Sequence, residues 1–263
     1  MDALVNLLGQ HAAAWLLVLA RVGGVFLYAP LLSSASVPVQ ARALLACALA
    51  AALYPALLGA GMAPLGAVDL ATMGVLVLGE VLVGLVLGAM AAIPVLAAQV
   101  AGVIMGQQLG LGLATVYNPT FDTDSDVMGE LLMYLALGIF IAAGGLEVVL
   151  ITLARTYERV PVGGMLGAEM GSALGVVVGL LRSGFELALR VSAPVLCILT
   201  VETLASSFIM RTVPQLNVLT IGFAVKVVIG MGVLVAALYA VGDAVGGEVE
   251  RGLRAVLMWG AGE

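Results

Sequence analysis

VLVGLVLGAMAAIPVLAAQVAGVIMGQQLGLGLATVYNPTFDTDSD, residues 81–126, decides the solvent in which this chain folds. No charged side chain occurs from Val81 to Phe121, and then Asn118-Pro119 and the acids Asp122, Asp124 and Asp126 follow in close succession. A stretch of about 20 apolar residues is enough to cross the hydrocarbon of a bilayer, so this one belongs in a membrane-type environment. Asn-Pro disfavours helix at the residue before the proline and stops the run, and the acids need water. Between them lies GQQLGLGLATVYNP, with glycine at 106, 110 and 112 and glutamine at 107 and 108. Small and amide side chains suit a narrow space lined by protein, where a backbone must pack closely and still deform.

The remainder of the chain has the same character. Of 263 residues, 63% are hydrophobic and 10% charged, against about 25% charged in an ordinary globular domain. Mean hydropathy is +1.20. So few charges would not cover a water-facing surface, which makes the class an all-α membrane protein. Apolar runs broken by proline, charge or glycine pairs predict six to seven helices arranged as hairpins: about 11–32, 40–59, 69–93, 95–116, 127–152, 168–205 and 214–245. Pro94 either bends one long helix or separates two. With a turn at Pro94, Arg42, Arg155, Arg159, Arg251 and Arg254 share one side, which places the N-terminus outside and the C-terminus in the cytoplasm, with Arg211 as the exception. No linker divides the chain, so 1–263 reads as a single unit. The first segment, MDALVNLLGQHAAAWLLVLARVGG, lacks a basic start and a small-residue cleavage site, and reads as a retained helix.

Function classes fall away in turn. A formal charge of −6, with Lys226 the sole lysine, gives no footing for nucleic acid. His11 is the sole histidine, Cys47 and Cys197 are solitary, and HExxH, CxxC and GxSxG are absent, so neither a metal, a cofactor nor an enzymatic activity is expected. Gly242-Asp243 lacks the first glycine of an intramembrane aspartyl-protease motif, Ala240 standing there instead.

Two other patterns ask for partners. Gly102, Gly106 and Gly110 lie four apart, as do Gly167, Gly171, Gly175 and Gly179, and that spacing lets neighbouring helix backbones approach closely. Arg182, Glu186 and Arg190 repeat every four residues along one helix face, and Arg21, Glu80, Glu202 and Lys226 interrupt other apolar runs. In lipid such charges must meet each other, protein or water. Internal pairing, for instance Glu202 with Lys226, competes with contacts to partner subunits and with an ion pathway.

Several segments are familiar together. ARVGGVFLYAPLLSSASVPVQARALLACALAAALYP carries an Arg-containing helix (Arg21), an Ala29-Pro30 step, a Ser33/Ser34/Ser36 turn closed by Pro38, then Arg42 and Pro55. GQQLGLGLATVYNP, TYERVPVG and RTVPQLNVLTIGF, the last containing Pro214, Gln215, Leu216 and Asn217, follow in order. Across roughly residues 15 to 230 this resembles the FliR family, a subunit of the bacterial flagellar type III export gate, whose homologue serves virulence injectisomes. The resemblance implies assembly with FliP and FliQ, and with FlhB nearby, into a helical export gate in the inner membrane at the flagellar basal body. Unfolded flagellar proteins would pass through it, with membrane lipid around it. It further implies a FliP-like part over about 1–120, a FliQ-like part within 123–263, and a plug loop at 106–122 with Gly106, Gln108, Gly110, Gly112, Ala114, Thr115, Asn118 and Pro119 as its gating residues. AAGGLEVV around Gly144-Gly145 and Glu202 depart from the family pattern. A rival from another class, a small-solute transporter with paired broken helices, requires a second copy of the 106–119 element, and none is found.

Overall fold

The computed structural model describes residues 2–34, 37–59, 69–111, 127–164, 168–212 and 218–261; for 2–10, 168–170, 172, 210–212 and 218–221 it describes the backbone alone. Among the described residues the chain is α-helical, with α1 Asp2–Tyr28, α2 Val39–Gly59, α3 Leu70–Leu109, α4 Val127–Ala142, α5 Gly145–Arg159, α6 Ala168–Thr212 and α7 Val218–Ala261. Five of these helices are long and apolar enough to cross a membrane, and α4 and α5, bent by 64° to each other, pass the same test only when taken together. The chain is an all-α membrane protein.

Several boundaries differ from the sequence expectation, each for a local reason. The helices expected at 69–93 and 95–116 are one: α3 has 40 residues and contains Pro94, a length of about 60 Å against about 30 Å of bilayer hydrocarbon. A proline inside a membrane helix deletes one backbone hydrogen bond and need not end it. The turn at Pro94 on which the sidedness reading depended is therefore missing, and the sidedness falls with it. α1 stops at Tyr28, short of residue 32, because Ala29 precedes Pro30 and Leu31 takes φ 68. The expected helix 127–152 breaks after Ala142, where Gly144 adopts φ 70 and ψ 26, a left-handed geometry that glycine reaches at little cost. α6 continues past residue 205 to Thr212. Two hydroxyls in this stretch are satisfied within the helix: Thr203 Oγ1 and Ser207 Oγ donate to the carbonyls of Leu199 and Thr203, both four residues earlier. α7 runs on from 245 to Ala261 because Val245, Val249, Leu253 and Val256 keep a buried stripe through its charged stretch.

Two compact units make up the chain. The first comprises residues 1–93, 143–181 and 251–263. In it α1 and α2 form a hairpin whose α2 side buries only Ala46 and Ala50, and the His11 Nδ1–Tyr54 Oη hydrogen bond of 2.6 Å ties the far end. Arg42 explains the basic residue after the serine-rich turn: its Nη2 donates to the carbonyl of Ser34 at 2.9 Å, and to those of Ser33 and Val37 at 3.4 Å. The turn thus uses the serine backbone, and the guanidinium satisfies carbonyls that a helix end would leave orphaned. α1 also crosses α3 at bare backbone. A Cβ on Gly24 would overlap the Val81 carbonyl oxygen, and one on Gly84 would overlap the Arg21 carbonyl oxygen. Gly88 lies one turn further on, against Val25 and Ala29.

The second unit comprises residues 94–142 and 182–250. Here Gly102 of α3 abuts the backbone of Met128 and Gly129 at the start of α4. Leu109, at the end of α3, fills the space over Gly230 of α7, close to Leu199 of α6.

Gly84→Ala must push α1 away from α3 and is expected to destabilise the protein by about 1–3 kcal/mol. Gly74→Ala, on the same helix with open space around it, should be neutral or slightly stabilising. Thermal unfolding of the two variants in detergent checks this, and indistinguishable midpoints would refute the backbone crossing.

Candidate functional site

Two places in the chain concentrate the residues that the sequence singles out. The first is a polar knot at the centre of the first unit. Arg21 on α1 is fully buried and Glu80 on α3 is 3% exposed; Arg21 Nε donates to Glu80 Oε2 at 2.5 Å. The other Glu80 oxygen accepts the backbone N–H of Gly163 at 2.9 Å. Arg21 Nη2 donates to the Val160 carbonyl at 2.9 Å, and Nη1 to Thr156 Oγ1 at 3.3 Å. Thr156 in turn donates to the Leu153 carbonyl. Tyr157 places its ring 4.1 Å from the guanidinium carbon and donates its hydroxyl to the Val18 carbonyl.

Every nitrogen of the guanidinium and both carboxylate oxygens therefore have a partner. An isolated charge here would cost several kcal/mol of desolvation, and only a fully bonded pair offsets that. Position follows from the glycines: Gly24 is one turn from Arg21 and Gly84 one turn from Glu80, so the helix axes come close enough for the pair to meet. Gly163, at φ 75, turns its N–H toward Glu80. The knot thus gathers Arg21 from the first familiar segment and Thr156, Tyr157, Val160 and Gly163 from TYERVPVG. Glu80 as the link between them was missed. Its signal was the stretch GEVLVGLVLG, a lone acid followed by glycines at four-residue spacing.

The second place is the root of the glycine-rich segment. Gly106 and Gln108 are helical, because α3 persists to Leu109, so a loop beginning at 106 starts too early. Gly110, at φ 78, caps the helix: its N–H bonds the Gln107 carbonyl and the Leu111 N–H bonds the Gly106 carbonyl, both at 3.1 Å. That double bond pattern is the Schellman cap, which glycine in the left-handed region permits. Gly112, Ala114, Thr115, Asn118 and Pro119 lie outside the described residues, as do Pro214, Gln215, Leu216 and Asn217.

Other singled-out residues stand apart. Gly102 packs on α4, whereas Gly171, Gly175 and Gly179 meet nothing among the described residues; Gly167 lies outside the described residues. Glu186 and Arg190 form an ion pair at 2.9 Å with both side chains about two-thirds exposed (65% and 64%), and Arg182 is exposed beside them. Glu202 is buried and accepts from Ser206 Oγ at 2.6 Å. The expected pairing of Glu202 with Lys226 is not made: Glu202 Oε2 has no hydrogen-bond partner among the described residues. The serine one turn away has taken the place of the lysine. Among the described residues no cluster of metal-ligating side chains occurs.

Comparison with known proteins places this arrangement. The sequence profile of the bacterial export proteins, family 1, matches residues 12–252. The flagellar biosynthetic protein FliR of Escherichia coli K12 is 29% identical over 83% of this chain and 81% of its own length. FliR of Bacillus subtilis is 28% identical over 86% of each. The Yop proteins translocation protein T of Yersinia pestis is 28% identical over 88% of each.

Glu80→Ala leaves the Arg21 charge buried and unpaired, with an expected cost of about 3–5 kcal/mol. The double variant Arg21→Met/Glu80→Leu removes both charges and should lose less than either single truncation. Protein level in membranes and thermal midpoint check the order of the three; a double variant worse than the sum of the singles would show that the pair does not act as a unit.

Proposed function

The chain belongs to the bacterial export proteins, family 1, and is a subunit of a type III protein export apparatus, and on that footing we propose that it is the gating subunit of a flagellar export gate. In this reading it joins FliP and FliQ, with FlhB alongside, in an inner-membrane channel that passes unfolded flagellar proteins. A FliP-like part over about 1–120 and a FliQ-like part within 123–263 complete the ring of subunits. The chain contributes shape and closure, with no catalytic step of its own.

The observation that carries the gating role is how the segment after Gly110 is rooted. Its leading end is fixed by the Schellman cap and by Leu109 over Gly230; its trailing end is fixed where Met128 and Gly129 abut Gly102. Gly102 and Leu109 are about 10 Å apart along the helix, while the residues joining Gly110 to Val127 have a reach of about 50 Å. The connection is several times longer than its task demands. That surplus chain, rich in glycine and glutamine and ending in acid, suits a plug that blocks a conduit and moves aside. Gly106 and Gln108 then serve the root, and Gly110, Gly112, Ala114, Thr115, Asn118 and Pro119 the plug itself.

A second reading has its own support: the Yersinia pestis translocation protein T matches 88% of this chain, so the same gate could serve a virulence injectisome with a different cargo. Complementation of a flagellar and an injectisome deletion strain by this gene separates the two.

Deleting residues 112–122 leaves both roots in place. The expected result is a gate that still assembles and exports but leaks ions across the inner membrane, measured by membrane depolarisation alongside motility and filament export. An assembled gate with tight membranes would refute the plug; changed uptake of a small solute would favour a transporter.

A further inference from the structure

We propose that the cavity where α5 and α7 end binds the headgroup of a zwitterionic phospholipid, one carrying both a phosphate and a primary ammonium. This cavity belongs to the first unit, lies apart from the knot and from the glycine-rich segment, and rests on the membrane character of the chain alone. Its volume is about 590 Å³ and its walls are Arg155, Glu158, Arg159, Gly260 and Ala261. Gly260 lies directly against Thr152, where a Cβ would overlap the threonine methyl, so the two helix ends meet at close range.

The charges there are arranged in opposition. Arg155 and Glu158 are three residues apart on the last turns of α5, the spacing that brings helix side chains together. Both are exposed and line the same cavity, yet among the described residues no ion pair joins them. Arg159, by contrast, is committed: its Nη1 donates to the Trp259 carbonyl and its guanidinium lies 5.8 Å from the centre of the Trp259 ring. A free cation and a free anion therefore face one space.

A purely anionic guest fits this space poorly. Both α5 and α7 end here, and their last carbonyls form the negative poles of two helices. Arg155 would hold a phosphate, while Glu158 and the terminal carbonyls would take the N–H groups of an ammonium. Position favours a lipid over a free metabolite: α7 is an apolar span that ends at Ala261, and tryptophan and arginine at the end of such a span mark the headgroup level of a bilayer.

The test uses the full chain in its purified, delipidated gate complex, titrated with phosphatidylethanolamine, phosphatidylcholine and phosphatidylglycerol and read by native mass spectrometry. Phosphatidylethanolamine should bind tightest, because phosphatidylcholine lacks ammonium N–H donors and phosphatidylglycerol lacks the cation. Arg155→Gln should weaken phosphatidylethanolamine about tenfold, the loss of one charge-assisted contact. Glu158→Gln should weaken phosphatidylethanolamine more than phosphatidylcholine and so narrow its advantage, since both headgroups lose the attraction of the carboxylate but only the ammonium loses a charge-assisted N–H contact. Both side chains are exposed, so neither change threatens folding. Unchanged binding in both variants, or a Glu158→Gln protein that prefers phosphatidylglycerol as much as wild type prefers phosphatidylethanolamine, overturns the proposal. Displacement of the lipid by free phosphoethanolamine at equal concentration would overturn the lipid assignment.

Discussion

A buried arginine and a buried glutamate, 2.5 Å apart, are the constraint around which the first unit is arranged. Two charges taken out of water favour the folded state only when geometry is close and every remaining hydrogen-bonding group is occupied. Here that requirement reaches into four parts of the chain. It needs bare backbone at Gly24 and Gly84 so that α1 and α3 can touch, and it needs α5 to present Thr156 and Tyr157. It also needs the turn after α5 to deliver the Val160 carbonyl and the Gly163 N–H. An apolar cluster in the same place would tolerate sliding and rotation of the helices, since dispersion is non-directional. The knot does not, because each of its bonds has a direction.

This explains which features could be read from the sequence. Composition and run length reveal a membrane protein made of helices, because both depend on residue type and on neighbours within a few turns. Arg21 and the TYERVPVG segment stand out as patterns, yet nothing local says that they converge. Their meeting point, Glu80, lies 59 residues from Arg21, and a lone acid in an apolar run has many conceivable partners. The same blindness produced the expected pairing of Glu202 with Lys226, where a serine four residues on satisfied one carboxylate oxygen instead. Proline misled at 94 because a break rule learned in water is weaker where no water competes for the freed carbonyl. The charges after residue 242 interrupt the apolar run; in space Asp243, Glu250, Arg251 and Arg254 are exposed on a helix whose other face, with Glu248, stays buried through Val256.

Glycine illustrates the difference between permission and use. Spacing of four on α6 reveals that something can come close to Gly171, Gly175 and Gly179, and among the described residues nothing does. On α3 the permission is used, at Gly84 and Gly88 by α1 and at Gly102 by α4. α6 also exposes Phe185, Leu189, Val201, Leu204 and Phe208 beside the Glu186–Arg190 pair. An ion pair on such a face is costly against lipid tails. Membership of an export apparatus fits the contrast: the chain assembles with other components.

In the proposed gating role the chain must yield without loosening its frame, and the two sites would divide that labour. Directional bonds hold the knot in one arrangement, whereas the two ends of the segment after Gly110 are set by the Schellman cap and by packing at Gly230 and Gly102. For a chain much longer than the gap it bridges, the entropy of closure varies only with the logarithm of length, as about (3/2)RT ln n. Repositioning such a segment therefore changes its free energy little, so long as its ends stay where they are. What would be costly is moving the ends: that would open the Schellman cap, lift Leu109 from Gly230 and part Gly102 from Gly129 together. In the proposed gating role, the packing of the roots would let the segment between them be repositioned without rearranging the helices that carry it.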